Sequence, residues 1–147
     1  MATGDLTCTM DPEDLRRINE RLNQLGDVVK TGIVQKGLRD GANIILQEVK
    51  SSISRHGFIK TGKLLRSATI KSRKKDGKIY IGYKRDDGNA AHILDKGTVI
   101  RHTRSGANRG RIVASNYHSQ AVNAKKDQAL DAVYRSIQES LDRIWNR

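Results

Sequence analysis

The stretch that decides the fold is Ala68-Thr69-Ile70-Lys71-Ser72-Arg73-Lys74-Lys75-Asp76-Gly77-Lys78-Ile79-Tyr80-Ile81-Gly82-Tyr83. On either side of its centre the residues alternate. Ala68, Ile70 and Ser72 oppose Thr69, Lys71 and Arg73, and Ile79, Ile81 and Tyr83 oppose Tyr80, Gly82 and Lys84. A period of two is the signature of a strand with one face inward. Asp76-Gly77 between the two runs is a hairpin turn signal, because glycine accepts the positive φ that such a turn needs. The segment therefore predicts an antiparallel β-hairpin.

Outward from the hairpin the period changes to that of a helix. Upstream, Val34, Leu38, Ala42, Ile45, Val49 and Ile53 form one apolar face, predicting a helix over about 33–53 that breaks at Arg55-His56-Gly57. Gly32, Gly37 and Gly41 weaken its start by about 1 kcal/mol each relative to alanine, or allow another helix to approach closely. Further upstream, Asp11-Pro12-Glu13-Asp14 reads as a helix start, with a capping carboxylate, proline in the first turn and acids at the positive helix end. Leu15, Ile18, Leu22 and Leu25 continue it. Gly26-Asp27 ends this helix, or it runs on through Val28 and Val29.

Downstream, Asp86-Asp87-Gly88-Asn89 is a polar turn, and Ala90, Ala91, Ile93 and Leu94 make one or two helical turns stopped by Gly97. Thr98, Val99 and Ile100 are candidates for a third strand. Residues 99–115 read as a mobile basic loop. A long helix from about Ser119 to Trp145 closes the chain, with Leu130, Val133, Ile137, Leu141 and Ile144 as its stripe. The sum is an α+β chain, helices packed on one face of a small antiparallel β-sheet. Residues 1–10 form a flexible N-terminus ahead of a single domain over 11–147.

The 147 residues carry a net charge of +12, and its location is informative. Between Arg55 and Arg111 there are 16 Lys/Arg against 4 Asp/Glu, so this middle segment holds the whole excess and the flanks are nearly neutral. Such a field favours polyanions or acidic protein surfaces. No apolar run approaches the roughly 20 residues of a bilayer span, and Met1 to Met10 lacks a secretory pattern, which places the chain in a cytoplasm when it is made. Cys8 stands alone and reads as an incidental thiol. His56, His92, His102 and His118 show no metal-ligand spacing, no phosphate-cradling glycine loop precedes Lys60-Thr61-Gly62-Lys63, and no nucleophile motif is present. The chain is read as non-enzymatic, without a cofactor or metal.

Two segments carry a resemblance. Before the hairpin stands Lys60-Thr61-Gly62-Lys63-Leu64-Leu65-Arg66-Ser67, and after it Ala90-Ala91-His92-Ile93-Leu94-Asp95-Lys96-Gly97-Thr98. In order and spacing, over roughly residues 30–145, these resemble the tail-completion or neck proteins of siphophages, also called minor tail proteins. Asp95-Lys96 departs from the acidic or aromatic residue that many relatives carry before Gly-Thr. Phe58-Ile59 replaces a common proline, and Ser115 to Ala121 replaces a proline-containing stretch. The structural motif is carried by Thr61, Gly62, Leu64, Ser67, Gly97 and Thr98. Gly62 and Gly97 stand where the chain changes element type, and Thr61 and Ser67 can satisfy loose backbone groups there.

The resemblance implies a homo-oligomeric ring, sixfold, stacked in the virion between head-closure or connector proteins and tail-terminator or tail-tube proteins. The genome passes through such a ring. Candidates for lining the DNA channel are Arg73, Lys74, Lys75 and Lys78. Candidates for meeting a neighbouring protein are Arg101, Arg104, Arg109 and Arg111, with Trp145 as a further one. The competing reading is a stand-alone basic DNA- or RNA-binding protein, since the hairpin and the arginine loop together can contact phosphates.

Overall fold

The structure, a computed structural model, describes residues 11–146; the expected flexible segment 1–10, Cys8 included, lies outside them. Helix α1 spans Pro12–Asn23, with the Asp11 carboxylate accepting from Glu13 N at 2.9 Å, as a cap should. Its Ile18 and Leu22 are buried. Helix α2 is longer than its apolar pattern predicts, running from Asp27 to Arg55. Val28 and Val29 are helical but exposed, so the burial periodicity begins a turn and a half after the helix does.

Short helix α3 (Lys63–Ser67) leads into β1 (Ala68–Arg73), a 3-10 turn (Lys74–Asp76) and β2 (Lys78–Tyr83). The strands pair antiparallel from Ala68 opposite Tyr83 to Arg73 opposite Lys78. Gly77 closes the turn at φ +64°. Among the described residues the sheet has two strands. Thr98 to Ile100 add no third, because the segment folds back on itself instead, Thr98 N donating to Ile112 O, Arg101 N to Gly110 O and Thr103 N to Ala107 O. Helix α4 (Ala91–Lys96) ends at Gly97, as the sequence predicts.

The last helix, α5, runs from Tyr117 to Trp145 and starts two residues before the expected Ser119. It packs along α2, which in turn packs on both strands. The packing face of α5 is not quite the predicted stripe. Ala129, Ser136, Ile137 and Leu141 are buried, while Leu130 is only partly covered and Ile144 is exposed. The reason lies across the interface. A Cβ on Gly37 would stand 2.8 Å from Ile137 Cγ1 and 3.0 Å from the Val133 carbonyl, and one on Gly41 would meet Val133 Cγ2 and the Ala129 carbonyl, the latter at 2.7 Å. The two helices approach backbone to side chain, the bare glycines of α2 making room for Ile137 and Val133 of α5, and Leu130 and Ile144 stand outside this contact.

Two cores result. One joins α2, α3, the hairpin, α4 and the start of α5 through Val49, Ile53, Leu64, Ala68, Ala91, Tyr117 and Ala121. The other joins α1, the start of α2 and the end of α5 through Ile18, Leu22, Ile33, Ile137 and Leu141. Residues between β2 and α5 hang from the first core.

Candidate functional site

The elbow that feeds the hairpin is built as its residue types allow. Gly62 sits at φ +67° and begins α3, where a side chain would be strained. Thr61 Oγ1 accepts from Lys63 N at 3.4 Å, a long bond. Ser67, fully buried, donates its hydroxyl to the Leu64 carbonyl at 2.7 Å and accepts Lys84 N on its own carbonyl at 2.8 Å. Leu64 is buried in the first core. Gly88, not singled out from sequence, is equally constrained, since a Cβ there would strike Tyr83 Cβ and approach Lys84 O to 2.7 Å.

At the far end of the hairpin the charge collects. Arg73 and Lys78 stand directly opposite each other, an arrangement of like charges that disfavours the ladder. Asp76 relieves it in part through its ion pair with Arg73 at 3.4 Å. Lys75 and Lys78 are exposed and have no ion-pair partner among the described residues; Lys74 occupies the turn between the strands. Ser72 Oγ bonds Gln35 Oε1 at 3.1 Å, which ties this tip to α2.

The arginine segment is not a shapeless loop. Gly97 turns the chain at φ +75°, with backbone of Ile112 and Ala114 so close that a Cβ would lie 2.7 Å away. Thr98 then clasps Ile112 twice, N–H to carbonyl at 2.9 Å and Oγ1 to N–H at 2.9 Å. Arg101 N donates to Gly110 O and Arg109 N to Arg101 O, so two residues oppose one, as in a bulge. Thr103 N donates to Ala107 O at 2.8 Å, and Gly106 at φ +83° makes the tip. Residues 98–113 thus form an arm folded on itself. Arg101, Arg104, Arg109 and Arg111 are all exposed, and their side chains have no partner among the described residues. Beside them Val99 is 83% exposed, Val113 73% and Ile100 52%. The four arginines stand on this arm, whose root lies at the start of α5, and Trp145 stands at the other end of that helix, about 43 Å long at 1.5 Å per residue. Trp145 is half-exposed and has an internal neighbour, the Arg21 guanidinium, 6.0 Å from its ring centre.

Beneath the arm's root lies a polar cluster that sequence reasoning missed. Tyr117 OH donates to Tyr83 OH at 2.8 Å, and Tyr83 OH lies 2.9 Å from His118 Nδ1. Buried Asp95 accepts His118 N at 3.0 Å on its carboxylate and Asn116 N at 2.9 Å on its carbonyl. Ser115 Oγ donates to Leu94 O at 2.6 Å. Burial is the main cause that raises the phenol pKa values of Tyr83 and Tyr117 above the usual range, and in both the Asp95 charge adds to it. Burial also lowers the His118 imidazole, against the opposing pull of Asp95. A neutral imidazole with a bare Nδ1 lets each hydroxyl donate onward to the next group, so the chain of bonds is satisfied in one direction. An open cleft of about 360 Å³ borders the cluster. Each polar group serves to hold β2, α4 and α5 together. The one signal in the sequence is the inward parity of Tyr83, because the other members come from separate segments with no shared spacing.

A family model described as the bacteriophage HK97-gp10 tail component matches residues 16–97. That span begins in α1 and ends at the glycine that opens the arm, so it contains both hairpin and elbow. No curated protein and no solved structure matches the chain.

Proposed function

Because the chain belongs to the bacteriophage HK97-gp10 tail-component family and so has a structural role in a phage tail, we propose that it acts as a tail-completion or neck subunit, forming a ring at the head–tail junction around the DNA channel. The observation that carries this reading is the arm. A protrusion with four unpaired guanidinium groups and three exposed aliphatic side chains has the composition of a protein-contact surface, in which arginine is enriched. Arginine forks also suit carboxylate partners better than lysine does. The neighbours proposed are further copies of the chain in a hexameric ring, head-closure or connector proteins above, and tail-terminator or tail-tube proteins below.

The hairpin supplies the complementary part. Its tip is lysine-rich, and Lys75 and Lys78 are free to meet phosphates without reading sequence. In this reading Arg73, Lys74, Lys75 and Lys78 face the passing genome. The same surface is what favours the second reading, a stand-alone nucleic-acid-binding protein, and affinity for random DNA at physiological salt separates the two: tight binding by the isolated chain supports the second.

The test of the first reading is deletion of the arm. Gly97 and Ala114 are already in backbone contact, so two glycines can replace residues 98–113 without disturbing α4 or α5. The shortened protein should fold, and phage making only this version should accumulate separate heads and tails. Normal virions would rule the proposal out.

A further inference from the structure

The monomer leaves two surfaces unsatisfied, and their chemistries match. The first is the arm. The second is a cleft of about 440 Å³ between the turn that precedes α3 and the turn that follows β2. Its apolar walls include Phe58, Leu64 and Leu94, and Asp86 and Asp87 line it together with Lys60 and Lys63. Asp86 is held at φ +73°, a region that non-glycine residues seldom occupy. Both carboxylates are exposed, and neither has an ion-pair or side-chain hydrogen-bond partner among the described residues. The other two acids of the basic middle segment are engaged, Asp76 with Arg73 and Asp95 with Lys96 and His118. Asp86 and Asp87 thus offset the local lysines and make this cleft the part of the basic segment open to a cation.

We infer that the arm of one copy seats in this cleft of the next copy, its arginines meeting Asp86 and Asp87 and its aliphatic residues covering the apolar walls. The inference rests on the ring reading and names the contact from which the ring is made. No arm residue lines its own chain's cleft; the arm leaves α4 after Lys96, while the cleft lies against the opposite, Ala90 end of that helix. Donor and acceptor are therefore different surfaces of one chain. Such a head-to-tail contact repeats from copy to copy and closes into a ring when its rotation allows. The hairpin is a poorer donor, because its tip offers lysines without exposed aliphatic neighbours.

Charge exchange tests this on the full chain, with native mass spectrometry and sedimentation velocity as readouts. The pair Arg104→Glu, Arg109→Glu sets carboxylates on the arm against Asp86 and Asp87, and the pair Asp86→Arg, Asp87→Arg sets guanidinium groups in the cleft against the arm's own arginines. Each variant alone should self-associate at least tenfold more weakly than the unaltered chain. Mixed together they should reassemble, since the introduced glutamates then meet the introduced arginines and the unaltered arm meets Asp86 and Asp87, and the mixture should hold both variants in equal number. Reassembly itself shows that both are folded. Asp86→Asn with Asp87→Asn, which keeps a residue type tolerant of positive φ, should weaken association in the same direction and guards against a folding defect. The inference is overturned if either reversed variant assembles like the parent, if mixing rescues nothing while the asparagine variant still assembles, or if the unaltered chain stays monomeric at millimolar concentration. Should it fail while arm-deleted phage still cannot join heads to tails, the arm meets a different protein, and the tail-joining reading stands without this contact.

Discussion

The hairpin (68–83) and the arm (98–113) look alike in outline and differ at the root. Both are antiparallel ribbons with strong positive charge. The hairpin carries five Lys/Arg against Asp76, and the arm four arginines and no acid. The hairpin grows from the core: Ala68 is buried in it, and Ile81 and Tyr83 pack against it. The arm grows from a neck where Gly97, Thr98 and Ile112 hold one another by backbone and hydroxyl bonds. One ribbon is therefore part of the fold, and the other is an attachment that the fold presents. Charge alone does not tell these apart; what lies under the charge does.

The sharpest way to break this comparison is to cut each ribbon at its root. Tyr83→Ala removes an aromatic ring from the first core and a hydroxyl from the Tyr117–His118 chain, and should destabilise the protein by about 3–5 kcal/mol, measured by urea unfolding. At the arm's neck, Gly97→Ala forces a side chain into a positive-φ site against backbone atoms. It should cost roughly 1–3 kcal/mol, and its effect on particle assembly should exceed its effect on the hairpin. If both substitutions left stability unchanged, the claimed difference between the roots would be gone.

A gentler probe is acid. The His118 pKa is lowered in the folded protein, so the unfolded chain binds more protons between that lowered value and the ordinary 6.5. Stability should therefore be at its full value above 6.5, fall as the pH drops through that window, and level off below it. Thermal melts of His118→Gln should show a shallower dependence over the same range. An unchanged slope would mean that the cluster under the arm is not what senses the proton. Smallest in stability are the surface charges. Arg104→Ala should stay within about 0.5 kcal/mol of the parent. Lys75→Ala with Lys78→Ala should leave folding alone and, if those lysines meet phosphates, lower the salt slope of DNA binding by roughly 0.9 for each phosphate no longer neutralised.

The contrast also explains which parts of the molecule the sequence discloses. Local rules are readable wherever one short segment contains the whole instruction. Asp11-Pro12 caps α1, Asp76-Gly77 turns the hairpin, and Gly97 stops α4, each within a few residues. What the sequence conceals depends on a partner elsewhere. Thr98 to Ile100 have strand-like composition but lie in a segment that folds back on 107–112 through Thr98, Arg101 and Thr103 rather than joining the sheet. The start of α2 is hidden because Val28 and Val29 are helical without being buried. Spacing draws the stripe of α5 through Val133 and Ile137, but it does not show that these two seat on Gly37 and Gly41 while Ile144 is left exposed. The Tyr83–Tyr117–His118–Asp95 cluster gathers β2, α4 and α5, and no spacing rule joins residues so far apart in the chain.

The close seating of α2 against α5 has a mechanical consequence. Each helix has 29 residues, about 43 Å of rod. Ile137 and Val133 lodge over the bare Cα positions of Gly37 and Gly41 like teeth in notches. Rods joined only by a smooth greasy stripe can slip lengthwise by a turn at little penalty; notched ones must first lift apart. The pair therefore behaves as a strut that resists shear along its axis. A pull delivered where α5 begins, at the root of the arm, is carried to the α1 end without the subunit lengthening.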